Sequence, residues 1–261
     1  MTEPFWGTVK LEEGAIHRRK LGALHLWLLM HESEIWIAYT NDPDLIIPRE
    51  KERLPRGVEW ARWALKKRPR QLELIPVLPD LPIIVHSEYP LRLTRDSNIQ
   101  IFTRIPLWMR IASGSGDDEI LIELPTYELS KTWFGTPMEG ELCYWSSTKA
   151  RRQLTRDIYR PNLINCPIWI RNRSVESLDF EKFCYRVERL SIYKYEEEFW
   201  ADETNIVYQG EEQHSEVRMT GRLPEQIRGA QRVNGPRKRI HKSLATRTFR
   251  KILDETLFFT R

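Results

Sequence analysis

The chain reads as an all-β protein: internally duplicated β-sandwich or barrel-like units followed by a short C-terminal helix. Three observations predict this. Hydrophobicity alternates with a period of two over most of the 261 residues. The alternating runs are rich in β-branched and aromatic side chains, which suit a pleated, half-buried surface. Turn-forming clusters separate them, among them NDPD (41–44), SGSGDD (113–118) and GTPMEG (135–140).

Taken in order, LHLWLLM (24–30) and IWIAYT (35–40) flank HESE and predict a hairpin. VEWARWALK (58–66) and QLELIPV (71–77) flank a basic turn, KRPR, and predict a second. Further strands are expected at 99–104, 107–111, 119–124, 141–145, 163–171 and 183–195. Most of the sixteen prolines fall at strand ends and in loops, where a missing N–H costs least. The one helical pattern is in the tail, 237–257, where Ile240, Leu244, Phe249, Ile252 and Leu253 form an apolar stripe.

Self-similarity predicts the duplication. Pro106, Trp108 and Arg110 recur as Pro167, Trp169 and Arg171, 61 positions on. Leu124 and Tyr127 recur as Leu190 and Tyr193, Trp133 as Trp200, and Tyr144 as Tyr208. The matched tryptophans and Tyr144 then read as core plugs of two similar units, 105–148 and 166–210. The expected organisation is an N-terminal hairpin unit (1–80), a first repeat (81–155), a second repeat (156–225) and a basic tail (226–261), with Pro79–Pro82 as a linker.

Composition narrows the function classes. Hydrophobic residues are 41% and charged residues 30%, an ordinary globular balance. The N-terminus lacks a basic stretch followed by an apolar run, so no signal peptide is expected. The most apolar window, Leu21–Met30, is interrupted by His25 and is too short to span a bilayer. Cys143, Cys166 and Cys184 form no CxxC pair, which suits reduced cysteines and a cytoplasmic location. Net charge is uneven: residues 222–261 carry +8 and the rest −4. The stretch Glu196–Glu216 has eight acidic residues and no Lys or Arg. A basic tail beside an acidic segment suits pairing within the chain or between copies.

The segments LELIPVLPDLPIIV, RIPLWMRI, ELSKTWFGTPMEGELCYW and TKARR resemble a prokaryotic, largely archaeal family known as domain of unknown function 432. The resemblance runs from about Trp60 to the tail, and LSKTWFG…GELCY is its most specific block. It implies no activity, substrate or cofactor, so no catalytic residue carries over.

The candidate chemistry is sparse. The six histidines form neither HxH nor HExxH, and His31 with Glu32 and Glu34 reads as a solvated turn. Cys143 sits in a strand and reads as buried rather than nucleophilic. Glu139 and Glu141 beside Trp133 and Phe134 could serve as the acid and base of a glycosidase, though such spacing is common in hairpins. Neither SGSGDD nor VNGPRKR is a P-loop. No cofactor and no metal is expected. Basic turns and the tail (Lys149, Arg151, Arg152, Arg237, Lys238, Arg239) could track a nucleic acid if aromatics are exposed on one face. Exposed tryptophans could equally stack on sugars. The leading expectation is a binding or interaction module that self-associates, with more reason for a protein partner than for catalysis. The unmatched loop Gly135–Gly140, with Glu139 and Glu141, and the run Lys149–Arg152 are its candidate contacts.

Overall fold

A computed structural model describes residues 5–50, 53–66, 71–114, 119–154, 160–210, 215–238, 244–246 and 248–250. The strands in chain order are β1 (Gly7–Lys10), β2 (Ile16–Leu21), β3 (Leu24–His31), β4 (Glu34–Thr40), β5 (Ala61–Ala64), β6 (Gln71–Val77) and β7 (Ile83–Leu93). Next come β8 (Asn98–Pro106), β9 (Trp108–Ser113), β10 (Ile120–Pro125), β11 (Lys131–Gly135), β12 (Gly140–Ala150), β13 (Leu163–Asn172) and β14 (Leu178–Tyr185). The rest are β15 (Ile192–Tyr195), β16 (Glu198–Ala201), β17 (Thr204–Tyr208), β18 (Ser215–Met219), β19 (Gln231–Asn234), β20 (Leu244–Thr246) and β21 (Phe249–Arg250). Among the described residues the only helical elements are two 3₁₀ turns of three residues each. The all-β expectation holds. No helix of the described residues is long and apolar enough to cross a membrane.

The chain forms two units, each assembled from several segments. The first takes residues 1–77, 106–128 and 160–162. It holds two antiparallel four-stranded sheets, β1-β6-β9-β10 and β2-β3-β4-β5. Their inner faces supply alternate residues to one core. Leu24, Leu26, Leu28 and Met30 of β3 and Ile35 and Ile37 of β4 meet Leu72, Leu74, Met109, Ile111 and Leu124. The period of two makes this possible, because residues i and i+2 share a face.

On the outer face of β3, Trp27 is 0% exposed. Arg18 lies 5.6 Å from its ring and donates to the Pro48 carbonyl at 2.8 Å, so the segment after β4 straps over this face.

The second unit takes residues 78–105, 129–159 and 163–261. It holds a five-stranded sheet, β11-β12-β7-β14-β21, and a larger one, β19-β15-β16-β13-β17-β18-β20, with β8 also on β13. Phe180, Phe183 and Tyr185 of β14 are fully buried, and the Tyr185 hydroxyl meets Thr204 of β17 at 3.3 Å, tying the two sheets.

Several expectations need correction. The segment 58–77 is not a hairpin: β5 pairs with β4, while β6 lies between β1 and β9 in the other sheet. Alternation chose each strand's buried face but not its neighbour. The expected strand 183–195 is broken by a 3₁₀ turn at Val187–Arg189. The tail is not helical where it is described. Leu244–Thr246 pairs with β18 and Phe249–Arg250 with β14. Open sheet edges satisfy that backbone, and the Ser/Thr-rich stripe is a weak helix former. Most of the remainder of the expected helix, with Arg239, lies outside the described residues, as do most of KKRPR and the tip of SGSGDD.

The matched positions of the repeat have unlike surroundings. Trp200 is 5% exposed but Trp133 is 51% exposed, so Trp133 is not the core residue expected. Strand β9 has antiparallel neighbours, whereas β13 runs parallel to both β16 and β17.

Candidate functional site

The candidate site lies along β12. This strand carries the family-specific block at one end and the basic run at the other. At the first end, β11 and β12 form a hairpin closed by the pair Gly135↔Gly140. Gly135 has φ +124°, and a Cβ there would stand 2.4 Å from the Glu139 carbonyl oxygen, so only glycine fits. The Thr136 N–H donates to Glu139 O at 2.8 Å, and the Glu139 N–H donates to the Thr136 hydroxyl at 3.0 Å. The Trp133 indole lies over Gly140 and donates from Nε1 to Thr136 O at 2.9 Å. A Cβ on residue 140 would sit 2.5 Å from that nitrogen and 2.6 Å from Phe134 O. Gly140→Ala is therefore expected to lift the indole and cost about 1–2 kcal/mol of overpacking strain. A lowered melting midpoint checks it.

Glu139 and Glu141 have different surroundings. Glu139 belongs to the turn, while Glu141 accepts from the Arg186 guanidinium. Arg186 is 5% exposed at its side chain and Glu141 36%. Next to this pair the thiols of Cys143 and Cys184 touch at 3.6 Å. Both are buried with Ile84 and Phe134. The hydrogen bond with Cys143, then burial, push the Cys184 thiol well above its ordinary value, so it stays protonated. Cys143 is thus the buried cysteine the sequence suggested.

Beyond Tyr144 the ladder becomes irregular. Tyr144 is 6% exposed and its hydroxyl donates to Asp80 at 2.9 Å. Burial first, and that hydrogen bond second, push it up to about 12. From Trp145 to Lys149 β12 advances four residues, while its partner β7 advances two, Ile84 to His86. On the other side β14 advances from Phe180 to Lys182 while β7 runs from Leu91 back to His86. Strand β12 therefore bulges against β7, and β7 bulges against β14, with both irregularities meeting at His86. Bulges re-aim side chains and interrupt pairing.

The result is an open groove of about 420 Å³, lined by His86, Ser87, Pro90, Trp145, Ser146, Ser147, Lys149 and Glu181. Trp145 is 47% exposed, and the His86 ring meets it at 6.4 Å with 66° between the planes.

The other predicted contacts are dispersed. Arg151 pairs with Glu88 at 3.1 Å, and its backbone bridges to Phe102. Arg152 is exposed in a bend. Arg237 donates from Nε to the Leu78 carbonyl, and the Lys238 N–H donates to Glu188 O at 3.0 Å. Both are thus bound to their own unit. Glu188 is 2% exposed; burial pushes its carboxyl up, and Lys238 counters this. Among the described residues no group of three or more His, Cys, Asp or Glu could hold a metal.

The two exposed indoles of this hairpin fall on opposite faces of the sheet. Trp133 stands opposite Leu142, and Trp145 is three residues from Leu142. A single-faced aromatic platform for a nucleic acid is therefore not built from them. His86, Ser87, Pro90 and Glu181 escaped sequence reasoning. The signal was there in IIVHSEYPL, an apolar run interrupted by polar residues and a proline, which reads as a strand with a bulge.

These features define an all-β protein with a glycine-closed edge hairpin and an open groove. The chain belongs to the family described as Protein of unknown function (DUF432), whose model matches residues 5–254. No curated protein and no solved structure matches it.

Proposed function

We propose that this chain is an interaction module that assembles with a second copy through the outer edge of β11. The observation that carries the reading is the self-complementary edge itself. Trp145 N–H to Ser130 O and Thr136 N–H to Glu139 O bound the β11–β12 ladder. In an antiparallel pair, bonded rows alternate. Residues 132 and 134 therefore spend their backbone groups on β12, while the N–H and C=O of Lys131, Trp133 and Gly135 point outward. Among the described residues no strand pairs with that edge.

A two-fold axis at Trp133 would set Lys131 against Gly135 of the second copy and Trp133 against itself. Because Trp133 already stands opposite Leu142, the seam would carry a continuous apolar row, Leu142–Trp133–Trp133–Leu142. No like charges would oppose each other, and the same patch would serve both copies, as an isologous interface requires. Leu142 and Trp133 are 43% and 51% exposed, and Met138 at the turn is 92% exposed. This edge has one lysine and no proline to blunt it.

Sedimentation velocity over a concentration series tests the proposal. The native chain is expected to shift from monomer to dimer as concentration rises. Lys131→Pro removes an outward N–H without touching the β12 ladder, so it should keep the melting midpoint. It removes two intermolecular bonds per dimer, about 2–3 kcal/mol, and should weaken the dimer about a hundredfold. Thr132→Pro removes an inward N–H and should destabilise the hairpin instead. A native chain that stays monomeric, or a dimer indifferent to Lys131→Pro and Trp133→Lys, overturns the proposal.

A further inference from the structure

The groove where the bulges of β12 and β7 meet lies beyond the edge hairpin, and assembly through β11 does not use it. We infer that it is a carbohydrate-binding site, taking a neutral hydroxylated ring such as a pyranose.

Three observations carry the inference. The first is the wall. Trp145 presents a large apolar ring in the groove, 47% exposed, and the His86 ring meets it edge-on at 6.4 Å. A pyranose has a flat face of C–H groups that covers an indole without burying a hydroxyl. Pro90 adds a second rigid apolar surface to the same groove. Rigid aromatic walls lower the ordering cost of binding.

The second is the charge. The ionised groups that line the groove are Lys149 and Glu181, one of each sign. A phosphate or nucleotide site would carry a surplus of cations. A balanced pair suits a neutral ligand whose vicinal hydroxyls both donate and accept: the ammonium supplies donors and the carboxylate supplies acceptors.

The third is the hydroxyl content and shape. Ser87, Ser146 and Ser147 line the groove. Ser146 is held by Thr148, whose hydroxyl lies 2.9 Å away, and Ser87 donates to the Tyr89 carbonyl. A few oriented polar groups set into a largely apolar concavity are the general form of a small-molecule site. The groove is open to solvent, which leaves room for a residue within a chain as well as a free sugar.

Affinity electrophoresis of the full chain through gels containing neutral polysaccharides tests this. The panel is α-glucan, β-glucan, mannan, galactan and xylan. At least one is expected to retard the native chain. Trp145→Ala should abolish that retardation with an unchanged melting midpoint, because the indole is half exposed. Lys149→Ala and Glu181→Ala should each weaken it about tenfold, the effect of losing one charge-assisted hydrogen bond. Migration unaffected by every polysaccharide overturns the inference. So does retardation that survives Trp145→Ala, or retention only by a phosphate-bearing matrix.

Discussion

Glu141→Ala is expected to destabilise the second unit by about 2–3 kcal/mol. The physical reason is the guanidinium it leaves behind. Arg186 is 5% exposed and ends β14 at a point where the chain turns into a 3₁₀ segment, so its charge cannot swing into water. Breaking a buried pair from one side commonly costs about 3–5 kcal/mol. The lower figure applies here for two reasons. Glu141 is itself 36% exposed, so water already screens part of the attraction. Arg186 also acts favourably on Glu188, which retains some of the compensation. For a unit of this size the loss corresponds to a melting midpoint lower by about 4–10 °C. Glu141→Gln keeps an acceptor and should lose less. The double variant Glu141→Ala with Arg186→Met should recover part of the loss, because no charge is then stranded. If the double variant melts no higher than Glu141→Ala, the pair is not what holds this corner.

Asp202→Asn is expected to change how stability depends on pH. Asp202 lies between β16 and β17, is 2% exposed, and accepts the Ser191 N–H at 2.7 Å. Burial is the largest influence on its carboxyl; hydrogen bonds from backbone N–H groups and the charge of Arg232 oppose it. The balance pushes the carboxyl up to about 6, against 3.8 in the absence of structure. Between those values the native state holds a proton that the unfolded chain has released. The contribution to stability is therefore complete at low pH, falls as pH rises from about 4 to about 6, and stays constant above that. The separation corresponds to about 3 kcal/mol. Asparagine keeps the acceptor for Ser191 but does not titrate. The stability of Asp202→Asn relative to the native chain should thus rise by up to about 3 kcal/mol from pH 4 to pH 7. Chemical denaturation at a series of pH values measures the difference. A gap that does not change with pH refutes the burial argument.

Part of this site was legible without coordinates. The glycines at 135 and 140 bracket a loop containing a proline, and that is a turn on local grounds alone. Lys149, picked out because it lacked a repeat counterpart, does line the groove. Trp133 was misjudged because tryptophan in a strand usually buries. Here it sits on the edge strand and covers its own hairpin at Gly140, so half of the ring stays in solvent. The acidic segment and the tail do meet, through backbone pairing of β18 with β20 and through the charge of Arg232 acting on Asp202. The groove was not legible. The run IIVHSEYPL marks a bulge in β7, but the groove also depends on how β12 and β14 pair with β7, and those strands lie far off in the chain.

The division between sequence and structure follows from the range of the forces. Alternation, turn residues and β-branched content act within a few positions. By themselves they determined an all-β chain, the hairpin of β3 and β4, and the turn at 135–140. Which strand lies beside which is a choice among many edges with similar backbone hydrogen bonds. It is settled by the long-range burial of those apolar faces. That choice set β6 between β1 and β9, drew β20 and β21 onto separate sheets, and broke the regular pairing of β7 at His86. Only the tertiary structure could decide these pairings, because their energy lies in contacts between residues far apart in the chain.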